Sequence, residues 1–172
     1  SDDINIKFIK GDIRDEKLLS KVFHDYKTNG SHIEGVIHLA GLKSVSDSIN
    51  NPLKYWEINV LGSINLLNVM RLYDCRKIVF SSSATIYGPS NNYPLTEKSI
   101  IKPTNTYGYT KATVENILIS LSEQDKTPWK VANLRYFNPI GAHPSGQIGE
   151  CPLNIPNNLF PLILEVAMGK RR

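Results

Sequence analysis

The sequence predicts an α/β fold: part of a doubly wound parallel sheet, lacking its first strand–helix–strand unit, followed by the start of a substrate-binding region. Three observations predict it. Short apolar runs alternate with longer stretches whose apolar residues recur every three or four positions, the pattern of buried strands between amphipathic helices. The short runs end in glycine, serine or asparagine clusters, and the carboxyl ends of parallel strands are where open α/β sheets bind ligands. No Gly-x-x-Gly-x-x-Gly turn joins a first strand to a helix and no acidic residue ends a second strand, so the chain is expected to enter the sheet at its third strand.

Taken in order, Ile4–Ile9 alternates Ile4, Ile6 and Phe8 with Asn5 and Lys7, which reads as a strand turning at Gly11 and delivering Asp12 and Ile13 to its carboxyl end. Leu18, Leu19, Val22, Phe23 and Tyr26 form a helical stripe with Asp15 as cap and an end near Asn29-Gly30; on the residues alone, Asp12 or Asp15 as a helix cap explains the acid as well as a ligand contact does. Val36–Ala40 is a buried strand with Gly41 directly after it, where backbone can approach a ligand; His38, inside the strand, reads as a core histidine. Asn51-Pro52 starts a long helix with an apolar row Leu53, Trp56, Val60, Ile64, Leu67 and a mid-helix Gly62 that suggests close approach of neighbouring backbone. Asn59 lies one position before that row.

Lys77–Ser82 is the next buried strand, with Ser81, Ser82 and Ser83 emerging at its end, and 91–103 is a polar loop. Thr104–Lys111 starts a helix continued by Val114, Ile117, Leu118 and Leu121; Trp129–Tyr136 is a further strand, followed by Phe137 and Asn138. The stretch through Pro156 is rich in glycine and proline and longer than an ordinary loop, which suggests function or mobility. Asn158 then caps a last helix with Pro161 in its first turn and Leu159, Leu162, Ile163 and Val166 facing inward.

Composition narrows the class. The net charge of +4 owes three charges to Lys170, Arg171 and Arg172 at one end, so it carries no argument for nucleic acid. Cys75 and Cys151 have no metal-binding spacing, no apolar run is of membrane-spanning length, and no signal peptide opens the chain; a cytoplasmic protein with reduced thiols and no metal is expected.

The chemistry concentrates where Tyr107 and Lys111 share one helical face, four residues apart. A phenol ionises near pH ~10, so a phenolate acting around neutrality needs about 4 kcal/mol of stabilisation from its surroundings. A fixed cation close by supplies much of this. Tyr-x-x-x-Lys alone is more often an ordinary surface pair, and serines ending a strand more commonly just terminate pairing.

The two features together, with the strand-and-serine run Ile78–Gly88 two dozen residues ahead of the pair, resemble the extended short-chain dehydrogenase/reductase family. The blocks Leu39–Lys43, Ser81–Thr85, Arg135–Gly146 and Ile155–Leu159 resemble its UDP-glucose 4-epimerase branch in particular. The resemblance implies a Rossmann-like NAD-binding domain, of which residues 1–137 would be the central and C-terminal part, with the nucleotide-sugar region beginning at 138–172. It implies NAD-dependent interconversion of UDP-galactose and UDP-glucose through transient oxidation at sugar C4, in a parent protein expected to be a homodimer. Ser83, Tyr107 and Lys111 would be catalytic: Tyr107 the base, Ser83 bridging the sugar oxygen and relaying its proton, Lys111 holding the nicotinamide ribose. Asp12 and Ile13 would hold adenine; Leu39, Ala40, Gly41, Lys43, Asn59, Tyr136 and Phe137 would complete the cofactor site; Lys43, Asn138, Asn158 and Leu159 would meet the substrate. Leu39 departs from the phenylalanine common in the family but keeps an apolar wall. On the residues alone Asn59 could satisfy a buried polar group, Lys43 could be a solvated loop lysine, and Asn158 could be only a cap.

Other readings are a nucleotide-sugar 4,6-dehydratase or decarboxylase and a non-catalytic NAD-binding regulator. In dehydratases an acidic pair follows the catalytic hydroxyl, whereas Ala84 and Thr85 stand here. The chain is expected to be the middle of a longer protein and inactive by itself.

Overall fold

The computed structural model describes residues 6–91, 93–124, 128–141, 143–149 and 159–171. Its elements are α1 (Glu16–Thr28), β1 (Val36–His38), α2 (Val45–Asn50), α3 (Pro52–Tyr55), a π-helical turn (Trp56–Leu61), α4 (Gly62–Leu72), β2 (Lys77–Ser83), α5 (Thr106–Gln124), β3 (Lys130–Tyr136) and α6 (Leu159–Ala167). The strands form a three-stranded parallel sheet in the order β1-β2-β3, with Val36 opposite Ile78 and His38 opposite Phe80. The chain divides into two compact units, Ser1–Arg135 and Tyr136–Arg172.

In the first unit the core lies on the sheet face that carries Ile78 and Phe80. Phe23 from α1, Leu66, Leu67 and Met70 from α4, and Val114 and Leu118 from α5 pack there with Cys75 and Trp129. The helices are held at their ends by local chemistry. Asp15 Oδ1 accepts from Leu18 N at 3.0 Å to cap α1, with Glu16 in the first turn and Lys27 in the last complementing the helix dipole.

Five expectations are corrected. The strand expected over Ile4–Ile9 does not form across its described part: Ile6 and Phe8 are 83% and 85% exposed. A strand persists only where a neighbour takes up its N–H and C=O groups, and the sheet order gives Ile6–Ile9 none. The strand at Val36 stops at His38, leaving Leu39 and Ala40 in the segment that follows. The helix after Pro52 is interrupted by the wide turn at Trp56–Leu61, and the expected row fails at its start, with Leu53 81% exposed. The buried row is Tyr55, Asn59, Ser63, Leu67 and Met70, because the two polar members find partners inside the protein. In the second unit, α6 buries only Pro161, and Leu159, Ile163 and Val166 are exposed rather than inward, no described segment of that unit covering them. α2 was not legible from apolar periodicity. Ser44 starts it, accepting from Asp47 N at 3.2 Å. Gly62 is required for close approach, but of the Ile13 side chain rather than backbone: a Cβ there would lie 2.5 Å from Ile13 Cγ2.

Two buried charged or titratable groups brace this frame. Glu115 on α5, 1% exposed, receives Arg135 Nη2 at 2.7 Å and Nε at 3.1 Å; Arg135 Nη1 donates to Tyr87 Oη at 2.8 Å and to the Glu97 carbonyl at 3.1 Å. One guanidinium thus joins α5, the end of β3 and the segment after β2. His38, as expected, is a core histidine. The Ser63 hydroxyl gives its one proton to the Asn59 carbonyl at 2.5 Å, so the 2.8 Å bond between His38 and Ser63 needs the proton on His38 Nε2.

Arg135→Met leaves Glu115 buried and unpaired, and chemical denaturation is expected to show a loss of about 3–5 kcal/mol, most of it recovered when Glu115→Leu is added. Equal losses in the single and double variants would count against the pair as the cause. Burial, with a smaller contribution from the Lys111 charge, lowers the His38 pKa to about 4. The folded value lies below the unfolded one of ~6.5, so the unfolded chain takes the proton first and stability falls as pH drops through that window. Unfolding at about pH 5 should cost on the order of 2 kcal/mol less than at about pH 7 from this residue, and His38→Asn should flatten the slope. A variant slope as steep as the parent's would assign the acid loss elsewhere.

Candidate active site

The site is assembled where the end of β2 meets the first turn of α5. Ser83 is extended, and the short 3-10 turn Ala84–Ile86 follows it at once. Ser83 Oγ accepts from Thr85 N at 3.3 Å and from Thr85 Oγ1 at 3.0 Å. At the start of α5, Asn105 Oδ1 accepts from Gly108 N at 2.9 Å, and Ser48 Oγ, from α2, accepts from Tyr107 N at 3.1 Å, so two of the helix's unpaired amides are satisfied by side chains. Gly108 admits the contact between the two elements: a Cβ there would lie 2.9 Å from the Thr85 carbonyl oxygen.

This seating brings Lys111, one turn beyond Tyr107, under the serine cluster. Its Nζ donates to the Ser81 carbonyl at 2.7 Å and lies 4.9 Å from the Phe80 ring centroid and 5.8 Å from that of Tyr107. Lys111 is 6% exposed, and burial lowers its pKa to about 8, which leaves it charged at neutrality. Tyr107 and Ser83 are both buried as well. A phenol, a hydroxyl and an unneutralised ammonium therefore converge on the end of one strand, an arrangement suited to moving a proton at an alcohol oxygen.

The segment after β1 joins this group through Asn59. Asn59 Oδ1 accepts from Leu42 N at 2.8 Å, while Nδ2 donates to the Leu42 carbonyl at 3.0 Å and to Thr110 Oγ1 at 3.2 Å. Thr110 in turn donates to the Tyr107 carbonyl at 2.8 Å. The clamp draws Gly41 so close that a Cβ there would meet Asn59 Oδ1 at 3.1 Å and Lys111 Nζ at 3.8 Å, and Gly41 adopts φ +154. Leu39, Ala40, Gly41 and Lys43 are exposed beside it.

The other expected residues are placed as follows. Asp12 is engaged by Arg14: Oδ1 accepts from Arg14 N at 2.9 Å and Nε at 3.0 Å, and Oδ2 from Nη2 at 2.7 Å. Those bonds hold its carboxyl at about 2. Arg14 also reaches Glu57, and Ile13 is half-buried against Gly62. Tyr136, Phe137 and Asn138 lead out of β3 in the second unit and are exposed, as is Leu159 at the start of α6; Asn158 lies outside the described residues. Sequence reasoning missed Ser48, Thr110 and the bond from Thr85 to Ser83. Only Thr85 stood in a recognisable block, and there it registered as a missing acid rather than as a donor.

A family model described as GDP-mannose 4,6 dehydratase matches residues 1–172. The bifunctional protein gal10 of Schizosaccharomyces pombe is 50% identical over 171 residues, covering 97% of this chain and 23% of that protein. UDP-glucose 4-epimerase 2 of Oryza sativa subsp. japonica is 48% identical over 167 residues, covering 97% and 40%. Among solved structures, the UDP-glucose 4-epimerase of Bifidobacterium longum in complex with NAD+ and UDP aligns with TM-score 0.86 and 42% identity, over 98% of this chain and 49% of that one. The chain thus spans less than half the length of these relatives. With strand order, serine cluster and Tyr107–Lys111 pair all in place, the chain belongs to the extended short-chain dehydrogenase/reductase family, in the group that the family model covers, and its relatives there are UDP-glucose 4-epimerases.

Proposed function

We propose that the complete protein interconverts UDP-galactose and UDP-glucose with NAD as cofactor. The observation that carries the reading is the buried Lys111 ammonium, bonded to the Ser81 carbonyl at 2.7 Å and set 5.8 Å from the Tyr107 ring, with Ser83 ending the same strand. The relatives named above are epimerases, and the Bifidobacterium longum enzyme was solved with NAD+ and UDP.

The residues present fit a dinucleotide. Gly41 leaves its backbone uncovered where a Cβ would crowd the Asn59 amide, and Leu39 offers an exposed apolar wall beside it. A carboxylate has about four acceptor positions, so Asp12, with three bonds from Arg14, retains one that would suit the adenine amine. Asn59 holds the Gly41–Leu42 segment beside Ala40 and Lys43, and the family resemblance assigns Tyr136 and Phe137 to the same cofactor. Held by these residues, NAD would supply a reversible hydride acceptor for sugar C4.

The chain's own residues handle the proton and the substrate. Tyr107 removes the proton of the sugar 4-hydroxyl and later restores it. Ser83 hydrogen-bonds the same oxygen. Lys111 would bind ribose hydroxyls, and its charge stabilises the negative charge that the Tyr107 oxygen carries before it takes the proton and again after it gives the proton back. Lys43 is assigned to the nucleotide-sugar, as are Asn138, Asn158 and Leu159, on the family resemblance of their sequence blocks. The complete protein is a cytoplasmic homodimer in this reading, a partner copy covering the exposed Leu61 of the π-helical turn, Leu72 of α4 and Ile119 of α5. No helix among the described residues is long and apolar enough to cross a membrane.

The family model's description favours a second reading, a 4,6-dehydratase. Eliminating water from a sugar needs an added acid and base. The positions after Ser83 are Ala84 and Thr85, neither of which has a carboxyl group, so epimerisation stands first.

In the complete protein, Tyr107→Phe should lower conversion of UDP-galactose by about 10²–10⁴-fold while NAD stays bound, because the ring remains and only the hydroxyl is lost. Turnover near that of the parent would sink the assignment. The Lys111 ammonium is kept at a cost to stability. Its lowered pKa corresponds to about 3 kcal/mol, against about 1 kcal/mol for the bond to Ser81. Lys111→Met should therefore raise the unfolding free energy by about 1–2 kcal/mol while impairing turnover. A destabilised variant would contradict the buried-charge account.

A further inference from the structure

We propose that Thr85 is a positioning residue for the epimerisation, acting through Ser83 by holding its hydroxyl as a hydrogen-bond donor only; the inference rests on the reading of the site given above. A serine hydroxyl has one proton and two acceptor positions. Both acceptor positions of Ser83 Oγ face Thr85, one taken by its N–H at 3.3 Å and the other by its Oγ1–H at 3.0 Å. The remaining direction belongs to the Ser83 proton, which can be given to a sugar oxygen.

This changes what Ser83 can do. A relay in which Ser83 accepts the sugar proton while passing its own to Tyr107 needs a free acceptor position, and Thr85 occupies both. Tyr107 therefore takes the proton from the 4-hydroxyl directly. Ser83 stays protonated throughout and stabilises the oxygen as its O–H bond is lost and again as it is regained.

Thr85 is itself fixed on the catalytic helix. Its carbonyl oxygen would lie 2.9 Å from a Cβ at Gly108, the residue after Tyr107, so only glycine lets the first turn of α5 rest against it. Ser83, Thr85 and the Tyr107–Gly108 turn form a contiguous chain of contacts, and the distance between the two catalytic hydroxyls is set through Thr85.

The test uses the complete protein, its UDP-galactose epimerase activity established first; absence of that activity would refute the proposed function, not this inference alone. Thr85→Val keeps the branched shape and the backbone N–H but removes the Oγ1–H donor. It should lower kcat by about tenfold or more with KM changed less than about threefold, as for loss of an interaction felt in the transition state. Thr85→Ser, which retains the donor, should restore most of kcat. A kcat for Thr85→Val within about twofold of the parent, or a loss confined to KM, would overturn the proposal. So would a Thr85→Ser variant as slow as Thr85→Val, since side-chain shape rather than the hydroxyl would then be responsible.

Discussion

The ammonium of Lys111, buried on the side of Tyr107 and bonded to the Ser81 carbonyl at 2.7 Å, is the constraint that organises the first unit. A buried charge is tolerated only where its surroundings are rigid enough to supply partners continuously. Here those partners are a backbone carbonyl at the end of β2 and the face of Phe80, and burial still lowers the pKa to about 8. Everything that keeps α5 against β2 therefore also keeps the charge in place. Val114 and Leu118 do this from the core, and Glu115, one turn beyond Lys111, does it through Arg135.

The same demand explains why polar residues stand in a helix row that apolar residues would be expected to fill. Asn59 and Ser63 are buried, yet each meets a defined partner: Asn59 the backbone of Leu42 and the Thr110 hydroxyl, Ser63 the Asn59 carbonyl and His38. A network that is fully satisfied specifies one arrangement, whereas apolar contacts alone would permit sliding. Through it the segment after β1, the helix α4 and the first turn of α5 share one set of bonds. The wide turn at Trp56–Leu61 brings Asn59 and Ser63 onto the buried side.

At the functional end of the sheet, glycines decide how closely elements meet. Gly41 allows the segment after β1 to approach Asn59 and Lys111, and Gly108 allows α5 to rest on the Thr85 carbonyl. A Cβ at Gly108 would meet the Thr85 backbone, and one at Gly41 would press on the Asn59 amide from a conformation side chains rarely adopt, so the spacing of Ser83, Tyr107 and Lys111 depends on the absence of two side chains as much as on the presence of three.

The sequence by itself determined the strands at Val36, Lys77 and Lys130 to within a few residues, the capped α1 and the Tyr107 helix, because apolar periodicity and cap residues act locally. It also determined the family, since the serine run and the Tyr107–Lys111 spacing are local patterns. Tertiary structure decided the rest. Ile6–Ile9 has strand composition but no strand beside it, and α6 has an inward-facing pattern but nothing described in its unit to face. The helix after Pro52 departs from its expected row because Asn59 and Ser63 are satisfied by residues 17 and 25 positions away in sequence. Thr85, Thr110 and Ser48 acquire their places for the same reason: periodicity records which face of an element is apolar, whereas a hydrogen bond between distant elements exists only once the packing has brought donor and acceptor together.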